Sequence, residues 1–231
     1  ALVSQNIYPT RARAAAAIHG GLVTVNGVVA TKPSQAVSDT DVLAGGELPY
    51  SVGRGSLKLE RALDVFGVNP AGGVCLDIGA STGGFTSVLL ARGAVRVIAV
   101  DVGTNQLVAE LKNDVRVLSL EQTDIRTLHP VQPVDLVVID VSFISLADIV
   151  PVLRAWGARD VIALIKPQFE VPRNVAARSA GIIKLHQWHE YAINRATDAF
   201  RDAGFVRAGL TESPIHGGSG NVEFLAHFVA A

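Results

Sequence analysis

Two lysines and several aspartates occupy positions where charge is costly unless it has a partner or a task. Lys166 follows the apolar run Val161-Ile-Ala-Leu-Ile165, and Asp140 closes the mostly aliphatic run 134–139. Lys58 stands in Gly-Ser-Leu-Lys-Leu-Glu at the start of a helical pattern. Lysine is rarely buried without a partner. Asp77 and Asp101 also end apolar runs, 24 residues apart. In an open α/β sheet the carboxyl ends of the strands line the ligand crevice, so Asp77, Asp101, Asp140 and Lys166 are expected to converge there. A desolvated amine beside a second cation can serve as a base toward a hydroxyl group.

Asp77 lies in the run Val74-Cys-Leu-Asp77-Ile-Gly79-Ala-Ser81-Thr82-Gly83-Gly84-Phe85. A buried strand enters a glycine-rich turn that opens a helix. Glycine lets the backbone approach a ligand, and a helix start presents free N–H groups. Asp101, at the end of the next strand, can accept both hydroxyls of a ribose. The dinucleotide fingerprint is G-x-G-x-x-G, whereas the order here is D-x-G-x-x-x-G-G. The spacing therefore favours another nucleoside cofactor over a nicotinamide.

Other reactive residue types carry less. His186 and His189 lie three apart with no Cys or acidic ligand at metal spacing, so they read as surface histidines, and no metal is expected. Trp156 and Trp188 read as helix-packing residues rather than base-stacking platforms. The single cysteine, Cys75, excludes an internal disulfide and reads as a buried small hydrophobe, in keeping with a reducing cytoplasm.

The elements that must position these groups follow from the pattern. The chain has 231 residues, 49% hydrophobic and 18% charged, enough for a large core and against disorder. Short apolar runs such as 134–141 and 161–165 suit strands covered on both faces, and none nears the ~18 residues that span a bilayer. There is no signal-peptide pattern. The chain opens on Ala1 and contains no methionine, so further residues are expected before it. Residues 11–18 read as a helix with Thr10 as N-cap and Gly20-Gly21 as its stop. Asn26-Gly27 between β-branched runs marks a hairpin over 22–29. The stretch 44–56, rich in Gly, Pro and Ser, reads as a connection. Beyond it, helices are expected at 57–66, 83–92, 105–112, 147–156 and 187–203. Strands are expected at 74–78, 95–100, 115–118, 134–140, 161–166, 205–211 and 222–229. This alternation implies a doubly wound α/β sheet, and the last two strands an antiparallel hairpin at its edge. The resulting division is 1–46, a linker at 47–56, and 57–231. The loop 167–186, with Pro167, Pro172, Arg173, Arg178 and Lys184, reads as a lid or a substrate-contacting loop, with a plain solvated loop as the alternative.

The glycine turn resembles the S-adenosylmethionine (SAM) motif of Rossmann-like methyltransferases. The resemblance implies that Asp77 and Gly79 lie near the methionine part of SAM and that Asp101 holds the ribose. It also implies that Asp124 reaches the adenine and that Ser81, Thr82, Gly83, Gly84 and Phe85 complete the cofactor site. Lys58, Asp140, Lys166 and Glu223 resemble the Lys-Asp-Lys-Glu tetrad of FtsJ-like RNA ribose 2′-O-methyltransferases. The words G-R-G-S-L-K-L-E at 53–60, D-I-G-A-S-T-G-G-F-T at 77–86 and V-V-I-D-V-S-F-I-S-L at 137–146 narrow the likeness, as do L-I-K-P-Q-F-E at 164–170 and S-P-I-H-G-G-S-G-N-V-E-F-L at 213–225. They resemble the haemolysin-A-like (TlyA) family of ribosomal RNA 2′-O-methyltransferases. That family places an S4-type RNA-binding domain, a small α+β unit, before a Rossmann-like catalytic domain, and residues 3–27 look like its later part. The S4 pattern usually opens with an Arg-Leu-Asp segment that this chain lacks.

The resemblance implies SAM as cofactor and ribosomal RNA or a ribosomal subunit as partner, with no membrane. RNA contacts would come from Arg11, Arg13, Lys32, Arg54 and Arg173. A net charge of −1 means any such contact must be a local patch. Amino-group methyltransferases tend to carry Asp/Asn-Pro-Pro-aromatic where this chain has Asp140-Val-Ser-Phe143, and they need no paired lysines. Two readings from other classes are a membrane-active haemolysin, a name used in the family, and an RNA-binding protein with an inactive methyltransferase fold.

Overall fold

The computed structural model describes residues 1–8, 11–19, 21–46 and 54–231, without the side chains of 12, 13, 16, 19 and 54. Thr10, Gly20 and most of the expected linker therefore lie outside the described residues.

The N-terminal unit comprises α1 (Arg11–His19), β1 (Val23–Val25), β2 (Val28–Val29) and β3 (Leu43–Gly45), with sheet order β2-β1-β3. The Asn-Gly hairpin forms as expected, with Asn26 at φ 51° and Gly27 at φ 81°, the left-handed pair that a two-residue turn requires. β3 overlaps the start of the stretch 44–56 read as a connection. It pairs with β1 because Asn26 reaches across to it, accepting from the Val42 N–H and donating to Asp41. A small core of Tyr8, Ala14, Ala17, Ile18, Val23 and Ala30 closes the unit.

The larger unit begins with α2 (Arg54–Phe66) and β4 (Val74–Ile78), then α3 (Gly84–Ala91), β5 (Arg96–Val100), α4 (Ala109–Lys112) and β6 (Val117–Leu120). It continues with β7 (Leu136–Ile139), two 3-10 stretches (Leu146–Asp148 and Val150–Trp156), β8 (Asp160–Ile165), α5 (Pro167–Glu170) and α6 (Arg173–Arg178). It ends with α7 (His186–Asp202), β9 (Phe205–Glu212) and β10 (Phe224–Ala230). One seven-stranded sheet runs β6-β5-β4-β7-β8-β10-β9. Strands β4 to β8 pair in parallel, while β10 and β9 form the antiparallel edge. The strand order reverses between β4 and β7, and that switch point is where an open sheet leaves a crevice.

Four expectations about the elements of the larger unit need correction. The helix read over 105–112 is only Ala109–Lys112, because the Glu121 carboxylate takes the N–H groups of Asn105, Gln106 and Leu107 and holds them as a loop. The strand read at 115–118 lies at Val117–Leu120, after Asp114 turns the chain by accepting from the Arg116 N–H. The helix read over 147–156 is two 3-10 stretches, where Pro151 lacks an N–H for an α ladder. The loop read over 167–186 contains α5 and α6.

Two apolar clusters cover the two faces of the sheet. In one, Trp156 is fully buried, as a packing residue should be, near stacked Phe200 and Phe228. Cys75 is buried in the other, which pushes its thiol up to about 12. His189 is buried rather than on the surface, sharing a hydrogen bond with the Ile183 carbonyl at 2.8 Å, while His186 is exposed. Trp156→Ala should cost about 3–5 kcal/mol through the cavity it opens, read as a lower urea midpoint.

Candidate active site

The glycine turn lies at the switch point. Gly79 has φ 84°, and a methyl group there would come within 2.5 Å of the Asp140 carbonyl oxygen, so only glycine lets the turn after β4 lie against the chain leaving β7. Gly83 at φ 100° starts α3, and a side chain there would strike Leu107 and Leu111. Ser81 adopts φ 47° and donates its N–H to Asp101 Oδ2 at 2.8 Å. The Gly103 N–H fills Asp101 Oδ1 at 2.7 Å. Two backbone donors thus fix the carboxylate, and each oxygen keeps lone-pair capacity for a hydroxyl.

Beside this turn opens a cavity of about 980 Å³, lined by Gly79, Ser81, Asp101, Asp124, apolar Ile78, Val102 and Ile125, and others. Its size and its mix of apolar walls with a few polar groups suit a nucleoside cofactor. Asp124 is on the wall but is gripped by the Arg126 guanidinium, which holds its carboxyl below the usual range. The loop bearing Gly103 and Gln106 is anchored by Glu121, which accepts three backbone N–H groups and the Lys112 ammonium, and its carboxyl is lowered to about 2.

Asp77 lies elsewhere than the wall of either cavity at this end of the sheet. It is fully buried beneath the turn, where Oδ2 accepts from the Thr86 hydroxyl at 2.6 Å and Oδ1 has no hydrogen-bond partner among the described residues. Burial raises its pKa to about 7; the Thr86 hydrogen bonds oppose this, and the charges of Asp140 and Asp101 add to it.

A second cavity of about 290 Å³ adjoins the first, and the two share Gly79, Ser81, Asp140 and Ser142. Lys58, Lys166, Thr82, Gly84 and Phe85 also line it. The two buried lysines are each paired: Lys58 Nζ donates to Glu223 Oε2 at 2.6 Å, and Lys166 Nζ lies 2.6 Å from Asp140 Oδ1. Lys166 also donates to the Ser142 hydroxyl at 2.9 Å. Glu223 sits at the start of β10 and Lys58 in α2, so the first helix of the unit meets its last strand here. Taking two charges out of water is barely repaid by their attraction, so two such pairs on one small cavity point to chemistry rather than stability.

The structure thus brings Lys58, Asp140, Lys166 and Glu223 together and places Gly79, Ser81, Thr82, Gly84, Phe85, Asp101 and Asp124 around the adjoining cavities. Gly83 faces Leu111 instead. Arg173 is exposed on the larger cavity's rim. Arg11 and Lys32 border a separate groove in the N-terminal unit, and the side chains of Arg13 and Arg54 lie outside the described residues. No group of three or more metal-ligating side chains occurs among the described residues. Sequence reasoning missed Ser142, whose only signal was its place two residues after Asp140. It also missed Phe143, 91% exposed at φ 66° on the cavity rim, and the carboxylate anchors Glu121 and Glu170.

Comparison with known proteins agrees with this geometry. Residues 51–229 match the family described as FtsJ-like methyltransferase, and residues 1–43 match the S4 domain. A Mycobacterium tuberculosis protein named 16S/23S rRNA (cytidine-2′-O)-methyltransferase TlyA is 43% identical over 231 residues, 96% of this chain and 85% of its own. Hemolysin A of Brachyspira hyodysenteriae is 40% identical over 237 residues, 98% of this chain and 96% of its own. The solved structure of a candidate hemolysin from Streptococcus thermophilus has a TM-score of 0.75 at 43% identity, covering 100% of this chain and 86% of that one.

The buried carboxyl beneath the turn sets a pH dependence. With a folded pKa of about 7 against 3.8 for the free group, the unfolded chain gives up this proton first as pH rises. Asp77 therefore contributes stability below pH 3.8 that is lost progressively up to about pH 7. Asp77→Asn should leave stability near pH 4 unchanged and raise it relative to the parent above pH 7, measured by urea unfolding across that range. A difference that does not vary with pH would contradict the burial argument.

Proposed function

The chain belongs to the FtsJ-like methyltransferase family, and we propose that it transfers a methyl group from S-adenosylmethionine to a ribose 2′-hydroxyl of ribosomal RNA. The observation that carries this reading is the junction of the two cavities at Gly79, Ser81, Asp140 and Ser142, with two paired lysines on the smaller one. Relatives named as cytidine-2′-O rRNA methyltransferases support the same substrate class.

When bound, S-adenosylmethionine supplies an electrophilic methyl group on a sulfonium. Asp101 would hold its ribose hydroxyls, the turn from Gly79 to Ser81 its backbone approach, and Asp124 its adenine edge. In the smaller cavity Lys166 orients the 2′-hydroxyl and, in its neutral amine form, takes the proton as the methyl transfers, later releasing it to solvent. The Asp140 carboxylate then faces the resulting ammonium, and the Ser142 hydroxyl fixes its direction. Lys58, braced by Glu223, lines the same cavity and faces the nucleotide. Positioning in a crevice shielded from water supplies much of the rate. The exposed ring of Phe143 offers an unstacked base a face at the cavity rim.

Residues 1–46 would serve as the RNA-binding unit, through Arg11 and Lys32 with Arg13, and residues 57–231 as the catalytic unit, with Arg54 and Arg173 adding RNA contacts near the crevice. A ribosomal substrate would put the protein in the cytoplasm. The haemolysin reading rests on names, and no helix among the described residues is long and apolar enough to cross a membrane.

Labelled methyl transfer to isolated ribosomal subunits, with mapping of the modified nucleotide, tests the activity. Lys166→Ala should lower turnover by at least ~10²-fold while SAM affinity by calorimetry stays unchanged. RNA carrying a 2′-deoxy target should accept no methyl. Near-normal turnover by Lys166→Ala would remove the lysine from the chemistry, and methylation of the deoxy substrate would remove the ribose.

A further inference from the structure

One buried ionisable group has no part in the chemistry above. Glu170 is 1% exposed, at the end of the single-turn helix α5 that begins just after Lys166. Its carboxylate accepts from the Ser145 hydroxyl at 2.6 Å and from the Leu146 N–H at 2.8 Å. The Arg195 guanidinium of α7 lies 3.9 Å from the carboxylate and donates to the Glu170 carbonyl at 2.6 Å. A buried carboxylate is a costly choice for packing alone, since it must be fully hydrogen-bonded to be tolerated.

The loop it grips is the one that follows β7. Asp140 and Ser142, near the loop's start, hold Lys166. Phe143, in the middle, tilts against Phe169 of α5 with ring centroids 5.2 Å apart. Ser145 and Leu146, at the end, bind Glu170. Lys166 and the helical turn that follows it therefore hold both ends and the centre of the same loop. Between those points Phe143 is held at φ 66°, a backbone conformation that bulky residues adopt only when their surroundings impose it.

We propose that Glu170 is a positioning residue for methyl transfer: α5 acts as a brace that sets the loop 140–145 against Lys166, and the Glu170 contacts with Ser145 and Leu146 are its fixed end. This rests on the 2′-O-methyltransferase reading for its effect on rate, though not for its effect on the loop. The role acts through Lys166, Ser142 and Phe143, because Glu170 itself lies behind the crevice wall.

The test pairs two variants with two readouts on the full chain. Glu170→Gln keeps the shape but exchanges one acceptor oxygen for a donor, so it cannot accept from both Ser145 and Leu146. Ser145→Ala removes one of those contacts with a smaller disturbance. Both should lower kcat on ribosomal subunits, Glu170→Gln by at least ~10-fold and Ser145→Ala less, with SAM affinity within about twofold of the parent. The double variant should be no worse than Glu170→Gln, since both act on one contact. Hydrogen exchange should quicken at the amides of 141–146 and stay unchanged in β4 and α3. That second readout reports on the brace whether or not the protein methylates RNA, so failure of the proposed activity would not be mistaken for failure of the brace. Unchanged exchange at 141–146, or a parent-like kcat in an active enzyme, would overturn the proposal. So would loss of SAM affinity in parallel with kcat in Ser145→Ala, which would show a general loosening instead. Should Glu170→Gln fail to fold, Ser145→Ala decides by the same criteria.

Discussion

Two lysine–carboxylate pairs at the carboxyl end of the sheet, buried except for a half-buried Asp140, set the terms for the rest of this molecule. Lys58 and Glu223 are 165 residues apart in sequence and 2.6 Å apart in space. That pair exists only when α2 has packed on the sheet and β10 has inserted between β8 and β9. Lys166 and Asp140 require only that β7 and β8 lie side by side in register. Desolvating four charges is expensive, and breaking either pair leaves a lone buried charge. The large apolar clusters on both sheet faces supply the stability against which this local cost is set.

The same constraint explains the glycine turn. For the cofactor cavity to meet the lysine-lined cavity, the chain leaving β4 must touch the chain leaving β7. Gly79 against the Asp140 carbonyl is that contact, and a side chain would wedge it apart. Around it, carboxylates act as anchors for backbone rather than as reagents. Asp101 takes the N–H groups of Ser81 and Gly103, Glu121 those of Asn105, Gln106 and Leu107, and Glu170 that of Leu146. Each satisfies donors that an irregular loop would otherwise leave unpaired. The crevice is therefore lined by loops of defined shape without regular secondary structure to hold them.

How much of this was legible depends on the range of the interaction. The strands β4, β5, β7 and β8 announce themselves as short apolar runs, because burial on both faces leaves room for little else. The Asn-Gly hairpin and the glycine turn are legible because positive φ restricts residue type within the turn itself. Lys166 stands out since it is a charge set at the edge of an apolar segment. Glu223 has no such local signal; only the likeness of its flanking motif to a family brought it forward.

What the sequence by itself determined was most of the large sheet's strands, the glycine turn after β4, the four residues of the tetrad and the family to which they belong. What only the tertiary structure decided was who holds whom. Asp77 passed for a crevice residue by its position at a strand end, yet its side chain points beneath the turn to Thr86. Residues 105–107 read as helix until Glu121, from beyond the next strand, claimed their N–H groups. His189 read as a surface residue until the Ile183 carbonyl became its partner. The two antiparallel strands and Glu223 as one of the tetrad were expected, while the place of β10 in the sheet decided that Lys58 is the lysine Glu223 holds. The physical reason is common to all four: local pattern dictates backbone conformation through sterics and periodicity, while a polar side chain's partner is chosen by whatever the completed fold brings within hydrogen-bond reach.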